Sequence, residues 1–191
     1  MTRLNSWSVG FFFINIFLLN MPVFAQNISE GQLILYVVRH AEKDTGNNPV
    51  LSAIGKERAG ALHRVLQNSP VELILVSQFK RTGMTGDSMR LYRNIETRSY
   101  KADATGDDLF NLIAALNGKY KHILVIGHSN TVPVIVRRAG AIDYTVPALP
   151  DYAYDHLFTI SFEDGKIQWK LEKFGAPSLP DKAESKIQIS Q

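Results

Sequence analysis

Residues 33–43 read Leu33-Ile34-Leu35-Tyr36-Val37-Val38-Arg39-His40-Ala41-Glu42-Lys43, an apolar run of strand length that stops abruptly on an arginine and a histidine. A short, bulky, β-rich run without polar alternation is the pattern of a strand buried on both faces. Arg39 and His40 therefore fall at a strand's carboxyl end. In open α/β sheets that end binds ligands, because the loops leaving successive strands diverge there and open a crevice.

Two further runs repeat the arrangement. Val71-Glu72-Leu73-Ile74-Leu75-Val76 leads into Ser77-Gln78-Phe79-Lys80-Arg81-Thr82, and His122-Ile123-Leu124-Val125-Ile126-Gly127 leads into His128-Ser129-Asn130-Thr131. Helical segments intervene, so the three strands are expected to run parallel. Arg39, His40, Arg81 and His128 then emerge on one edge of one sheet. Two guanidiniums and two imidazoles at one point describe an anion pocket.

Arg39-His40 after a hydrophobic strand, Ser77 followed four residues later by Arg81-Thr82, and Gly127-His128 after a late strand together resemble the histidine phosphatase superfamily, which includes the phosphoglycerate mutases. The resemblance runs from about Leu33 to the last strands, leaving the two termini outside. It implies a phosphoric monoester hydrolase that needs neither metal nor cofactor. His40 is the implied nucleophile, forming a phosphohistidine that water cleaves; Arg39 and Arg81 hold the phosphoryl group, and His128 donates to its equatorial oxygens. Ser77 and Asn130 are further substrate-binding candidates, although Asn130 is also placed to cap a helix starting at Thr131, the commoner job of such a residue. A mutase is disfavoured, because the chain lacks room for the insertions that enclose a sugar-acid substrate.

The general acid is where this chain departs from the pattern. Many phosphatases of the superfamily place a glutamate after the second arginine motif or an aspartate directly after the second histidine, and here Ser129 follows His128. Glu96, Asp103 and Asp107 lie in the right region without a recognisable motif, and Asp107 with Asp108 also suits a helix start. Glu42 and Asp44, in the loop after His40, are the remaining candidates, with solvated loop charges as the alternative. The gap keeps a second reading open, a non-catalytic phospho-ligand binding protein with the same pocket. A metal-dependent hydrolase is less well supported, since no His-x-His or His-Glu-x-x-His spacing is present.

Around these strands the chain reads as α/β: three layers, a mostly parallel sheet with helices on both faces, and an antiparallel edge hairpin. Ser52 can cap a helix whose residues Ile54, Arg58, Ala61, Leu62, Val65 and Leu66 recur at helical spacing, with His63 near the edge of that face. A second helix is expected from Arg81 to Tyr92 despite Gly83 and Gly86, a short strand at Ile95–Tyr100, and a third helix with Leu109, Leu112, Ile113 and Leu116 inward, ended by Gly118. Thr131–Arg138 is the fourth, with Pro133 in its first turn and Gly140 beyond its end; its amino end is expected to add orphan amides to the pocket. Tyr152 to Phe162 alternates as a half-buried strand, and Glu163-Asp164-Gly165-Lys166 turns it into Ile167–Phe174.

The chain has 191 residues, 45% hydrophobic, with a formal charge of +3, which suits one globular domain at residues 26–174. Met1–Ala25 reads as a secretory signal: Arg3 is the basic start, Val9–Leu19 the apolar core, and Val23-Phe24-Ala25 a cleavage site before Gln26. That core is too short to span a bilayer, so an exported protein, periplasmic or secreted, with no membrane span after processing is expected. Residues 175–191, with Pro177 and Pro180, read as a mobile tail. The absence of cysteine rules out disulfides and thiolate metal sites. No basic run interleaved with aromatics accompanies the positive charge, so no nucleic-acid partner is implied; the expected partner is a small phosphate ester.

Overall fold

A computed structural model of the chain describes residues 33–116, 118–163 and 166–178. The expected signal segment, the turn residues Asp164 and Gly165, and residues 179–191 of the expected tail lie outside the described residues. Among the described residues ten elements follow one another: β1 (Leu33–Arg39), α1 (Ala53–Val65), β2 (Leu73–Ser77), α2 (Lys80–Arg93), β3 (Glu96–Tyr100), α3 (Asp107–Ala115), β4 (His122–Gly127), α4 (Thr131–Arg138), β5 (His156–Glu163) and β6 (Lys166–Lys173). They build one sheet in the order β3-β2-β4-β1-β5-β6. β1, β2, β3 and β4 are mutually parallel, while β5 runs antiparallel to both β1 and β6. The α/β architecture read from the sequence, with its antiparallel edge hairpin, is the one observed.

The central strands are apolar on both faces because each face has its own helices. Leu35, Val37, Leu73, Leu75, Ile123 and Val125 pack with Leu109, Phe110 and Ile113 of α3 and with Val132, Ile135 and Val136 of α4. The alternating residues Tyr36, Val38, Ile74, Val76, Leu124 and Ile126 pack with Ala61 and Leu62 of α1 and Met89 of α2. Side chains two apart on a strand share a face, so an unbroken apolar run is divided between two cores. Gly86 permits the approach of α2: a Cβ there would lie 3.2 Å from Ile74 and Ile126.

Helix α1 departs from the expected stripe. Ser52 caps it, accepting the Gly55 amide at 3.2 Å, but Ile54 and Val65 are 61% and 47% exposed. The buried face is Gly55, Arg58, Ala59, Ala61 and Leu62. Two contacts rotate it there. A Cβ on Gly55 would sit 2.0 Å from the Glu42 carbonyl oxygen, so the helix rests directly on that backbone. The Arg58 side chain, buried, forks onto the Glu42 carboxylate at 2.6 to 2.9 Å. The same guanidinium donates to the carbonyls of Phe174 and Ala176, and Ser178 is bonded to Asp155 and to the Tyr154 amide. Gly175–Ser178, read from the sequence as the start of a tail, are thus tied to the domain by buried groups that composition does not reveal.

The register fixes the active edge. Arg39 pairs with Gly127 and Val76 with Ile126, so β1, β2 and β4 end level. The His40 amide continues the ladder by donating to the Gly127 carbonyl at 2.9 Å.

Candidate active site

Arg39, His40, Arg81 and His128 meet at this edge. The rings of His40 and His128 lie 5.3 Å apart in an edge-on arrangement, and Arg81 Nη2 is 3.2 Å from His128 Nδ1. Arg39, His40, Ser77, Thr82, Thr85 and His128 are all buried polar groups.

His40 has one ring nitrogen committed. Nδ1 lies 2.8 Å from the Ala41 carbonyl, which only accepts, so Nδ1 carries the proton and Nε2 the lone pair. Burial lowers the pKa most, the bond to Ala41 opposes that fall, and the charges of Arg39, His128 and Arg81 deepen it, leaving His40 at about 3. At neutral pH the ring is an uncharged imidazole of defined tautomer. Its backbone is held by Thr85, whose Oγ1 accepts the Ala41 amide at 3.0 Å and donates to the Arg81 carbonyl at 2.7 Å. Thr85 went unnoticed in the sequence, although its place four residues after Arg81 puts both on one helix face.

His128 is engaged at both nitrogens. Because Arg81 only donates, Nδ1 is the acceptor, and Nε2–H donates to Ser77 Oγ at 2.8 Å. Thr82 Oγ1 lies 2.7 Å from the Phe79 carbonyl and 3.1 Å from Ser77 Oγ, so the proton chain runs from His128 through Ser77 and Thr82 to a backbone oxygen. Burial, then Arg81 and Arg39, push the His128 pKa down to about 4. Ser77, read from the sequence as a substrate contact, instead orients His128. His128, read as a donor to substrate, has no free proton in this state.

The helix end behind it is also occupied. The Thr131 and Val132 amides already donate to the His128 carbonyl, so those two are not orphans. Asn130 stands at the N-cap position without a capping side-chain bond and is exposed, because Thr131 Oγ1 takes the local role by accepting the His128 amide.

Each arginine lies on an aromatic ring. Arg39 sits 4.1 Å over Tyr154, and Arg81 sits 4.5 Å over Phe79, whose edge meets His128. Arg39 Nη1 donates to the carbonyls of Pro150, Asp151 and Ala153, while Nη2 reaches Tyr154 Oη. Among the described residues the Nε–H groups of both arginines are buried without a partner, two orphan donors in one cationic pocket. Tyr154 was read as a strand residue, yet β5 begins only at His156. Pro150 was the signal that a loop precedes it, since proline is excluded from strand interiors.

Most of the carboxylate candidates are engaged with other partners. Glu96 opens β3 opposite Leu73, so it lies at the far end of a strand whose last residue pairs with Ser77, about 13 Å away along the strand. There it bonds Tyr120 and Arg98, which hold its carboxyl below the ordinary range. Asp103 caps α3: desolvation, the largest single cause, raises its pKa, but the Asp108 amide, the Thr105 hydroxyl and the Gly106 and Asp107 amides together outweigh it and bring it to about 2. Asp107 is lowered by the Thr105 hydroxyl and by Arg138. Its neighbour Asp108 accepts the Lys101 amide. Glu42 is forked onto Arg58, and Asp44 is exposed. Among the described residues no three His, Asp or Glu side chains converge as metal ligands.

No family model and no curated protein matches the chain. Solved structures do. A protein assigned as a phosphohistidine phosphatase SixA from Nakamurella multipartitia superposes with a TM-score of 0.57 at 20% identity, covering 78% of this chain and 98% of that one. The alpha-ribazole phosphatase of Shigella flexneri gives 0.56 at 15% identity over 76% and 100% of the two chains. A mycobacterial glucosyl-3-phosphoglycerate phosphatase gives 0.55 at 16% identity over 77% and 100%. The chain therefore has the fold of the histidine phosphatase superfamily, as its strand-end motifs at Arg39-His40, Ser77–Arg81 and Gly127-His128 imply.

Proposed function

We propose that the protein is an exported phosphatase that hydrolyses a phosphate monoester through a phosphohistidine on His40. One observation carries this: a neutral imidazole, its Nδ1–H fixed on the Ala41 carbonyl and its Nε2 lone pair free, stands between two guanidiniums with unpartnered N–H groups. A phosphoryl dianion supplies the acceptors those donors lack, and arginine's planar fork matches two of its oxygens at once. Nε2 attacks phosphorus while the arginines take the charge on the equatorial oxygens. As Arg81 turns from His128 to the dianion, Nδ1 of His128 is released, and the added negative charge favours its protonation. His128 then donates to the same oxygens, with Ser77 holding its other side. The mycobacterial enzyme of this fold has also been seen with VO3, an oxyanion of the kind such a pocket holds.

The test is rapid trapping with substrate labelled in the phosphoryl group. The wild type is expected to carry label that is stable to base and labile to acid, and His40→Ala to carry none and turn nothing over while still binding phosphate weakly. A wild type that binds phosphate esters yet never labels supports the competing reading, a binding protein, which draws on the engagement of Glu42, Glu96, Asp103 and Asp107 with other partners. Export is part of the proposal. Protein recovered from the exported fraction should have an intact mass starting at Gln26, and full-length protein confined to the cytosol would refute this part.

A further inference from the structure

If no carboxylate serves the pocket, the proton for the departing oxygen needs another source. Ser77, Thr82 and Thr85 all spend their hydroxyl protons on protein acceptors. Tyr154 does not. Its Oη accepts from Arg39 Nη2 at 3.4 Å, and its own proton has no acceptor among the described residues. The ring is half-buried, its centroid 6.0 Å from that of His40, with Arg39 packed on its face.

The placement is held from several sides. Arg39 Nη1 grips the carbonyls of Pro150, Asp151 and Ala153, the loop that carries Tyr154, and the Tyr154 amide donates to Ser178 Oγ at 3.0 Å. The arginine that receives the phosphoryl group thus also fixes the phenol beside it.

We propose that Tyr154 is the leaving-group proton donor, an inference that rests on the phosphatase reading above. As His40 Nε2 bonds to phosphorus, the ester P–O bond breaks and its electron pair goes to the leaving oxygen, which takes the Tyr154 proton. Arg39, already donating to Oη, stabilises the phenolate left behind. Water then attacks the phosphohistidine and gives its proton to that phenolate; the P–N bond breaks, its pair returns to Nε2, and inorganic phosphate leaves. Such a donor matters most for alkyl esters, whose alkoxides depart poorly, and little for nitrophenyl esters. The substrate class it suits is alkyl monoesters, phosphorylated sugars or alcohols among them.

The experiment is kcat/KM, which reports the first phosphoryl transfer, across a series from 4-nitrophenyl to simple alkyl phosphates. Tyr154→Phe keeps the ring under Arg39 and removes only the hydroxyl. Its expected profile is a nitrophenyl rate within about threefold of wild type and an alkyl rate lower by about 100-fold. An equal fall for every leaving group, or none, would overturn the assignment. Asp151→Asn is the companion: Asp151 is 95% exposed at 3.9 Å from Arg39, and its loss should leave the series unchanged. A steepened series there would transfer the role to Asp151. Phosphohistidine trapping runs alongside on the wild type; label with no leaving-group effect defeats Tyr154 alone, and absence of label defeats both readings.

Discussion

Removing the Glu42 carboxylate tests how the loop after His40 is held. Glu42 follows His40 by two residues and accepts three contacts of 2.6 to 2.9 Å from Arg58. The arginine side chain is 4% exposed and the glutamate 20%. Breaking such a pair from one side leaves a buried guanidinium uncompensated, which typically costs 3–5 kcal/mol. Water can reach the glutamate side, so Glu42→Ala is expected to lose about 2–4 kcal/mol, a large part of a domain's ordinary 5–15 kcal/mol. Urea unfolding followed by far-UV circular dichroism measures this as a lowered midpoint at unchanged slope. Glu42→Leu with Arg58→Met, which leaves no stranded charge, should recover more than half of the loss. A single-variant loss below about 1 kcal/mol, or a double variant worse than the single, would refute the view that the pair is a desolvated clamp.

Three further outcomes follow from the same geometry. His40 and His128 are neutral in the folded state with pKa values of about 3 and about 4, below the ordinary 6.5, so the unfolded chain binds protons that the fold refuses. Their contribution is whole above pH 6.5 and is lost as the pH falls, down to about 4 for His128 and about 3 for His40, with a joint slope approaching about 3 kcal/mol per pH unit. His40→Ala should remove roughly half of that slope, and a wild-type-minus-variant difference that ignores pH would contradict it. Gly55→Ala should destabilise by more than about 2 kcal/mol, because its Cβ meets backbone at 2.0 Å, whereas Gly86→Ala should stay within about 1 kcal/mol of neutral: its neighbours at 3.2 Å are the Ile126 Cδ1 and Ile74 Cγ2 methyls, which need give only slightly, and helix propensity favours alanine. Ser77→Ala is expected to lower kcat about tenfold with KM little changed, since it frees the His128 ring to rotate without touching substrate; a change in KM alone would assign Ser77 to substrate binding.

What the sequence made legible was whatever follows from period and position. Three apolar runs bounded by helical segments determine a parallel sheet, and the residues directly after each run must share an edge; that is enough to assemble Arg39, His40, Arg81 and His128. Contacts made by the bends of loops were not legible. Nothing in the string Pro150–Tyr154 says that its carbonyls turn onto Arg39. Glu96 looked eligible because sequence distance from Arg81 is small, while parallel pairing puts the start of β3 at the opposite end of the sheet from its finish. The stripe of α1 failed for a related reason. Gly55 and Arg58 carry the contacts that orient the helix, and hydrophobicity counts neither.

A histidine that must attack an anion faces two demands that oppose each other. Its ring needs a fixed tautomer, and the commonest device for that is a carboxylate on Nδ1–H. A carboxylate there would raise the ring's pKa and repel the dianion that the pocket is meant to receive. The Ala41 carbonyl fixes the same nitrogen without a net charge. Burial and two guanidiniums keep the ring neutral, and in the proposed mechanism those same cations draw the phosphoryl group in. The acid on the same loop as His40, Glu42, has its carboxylate forked onto Arg58 and not onto the His40 ring. One arrangement of charge thereby meets both demands without a carboxylate bonded to the His40 ring. A phenol, uncharged while it waits, can stand beside His40 without spoiling either condition, and Tyr154 is the phenol that does so.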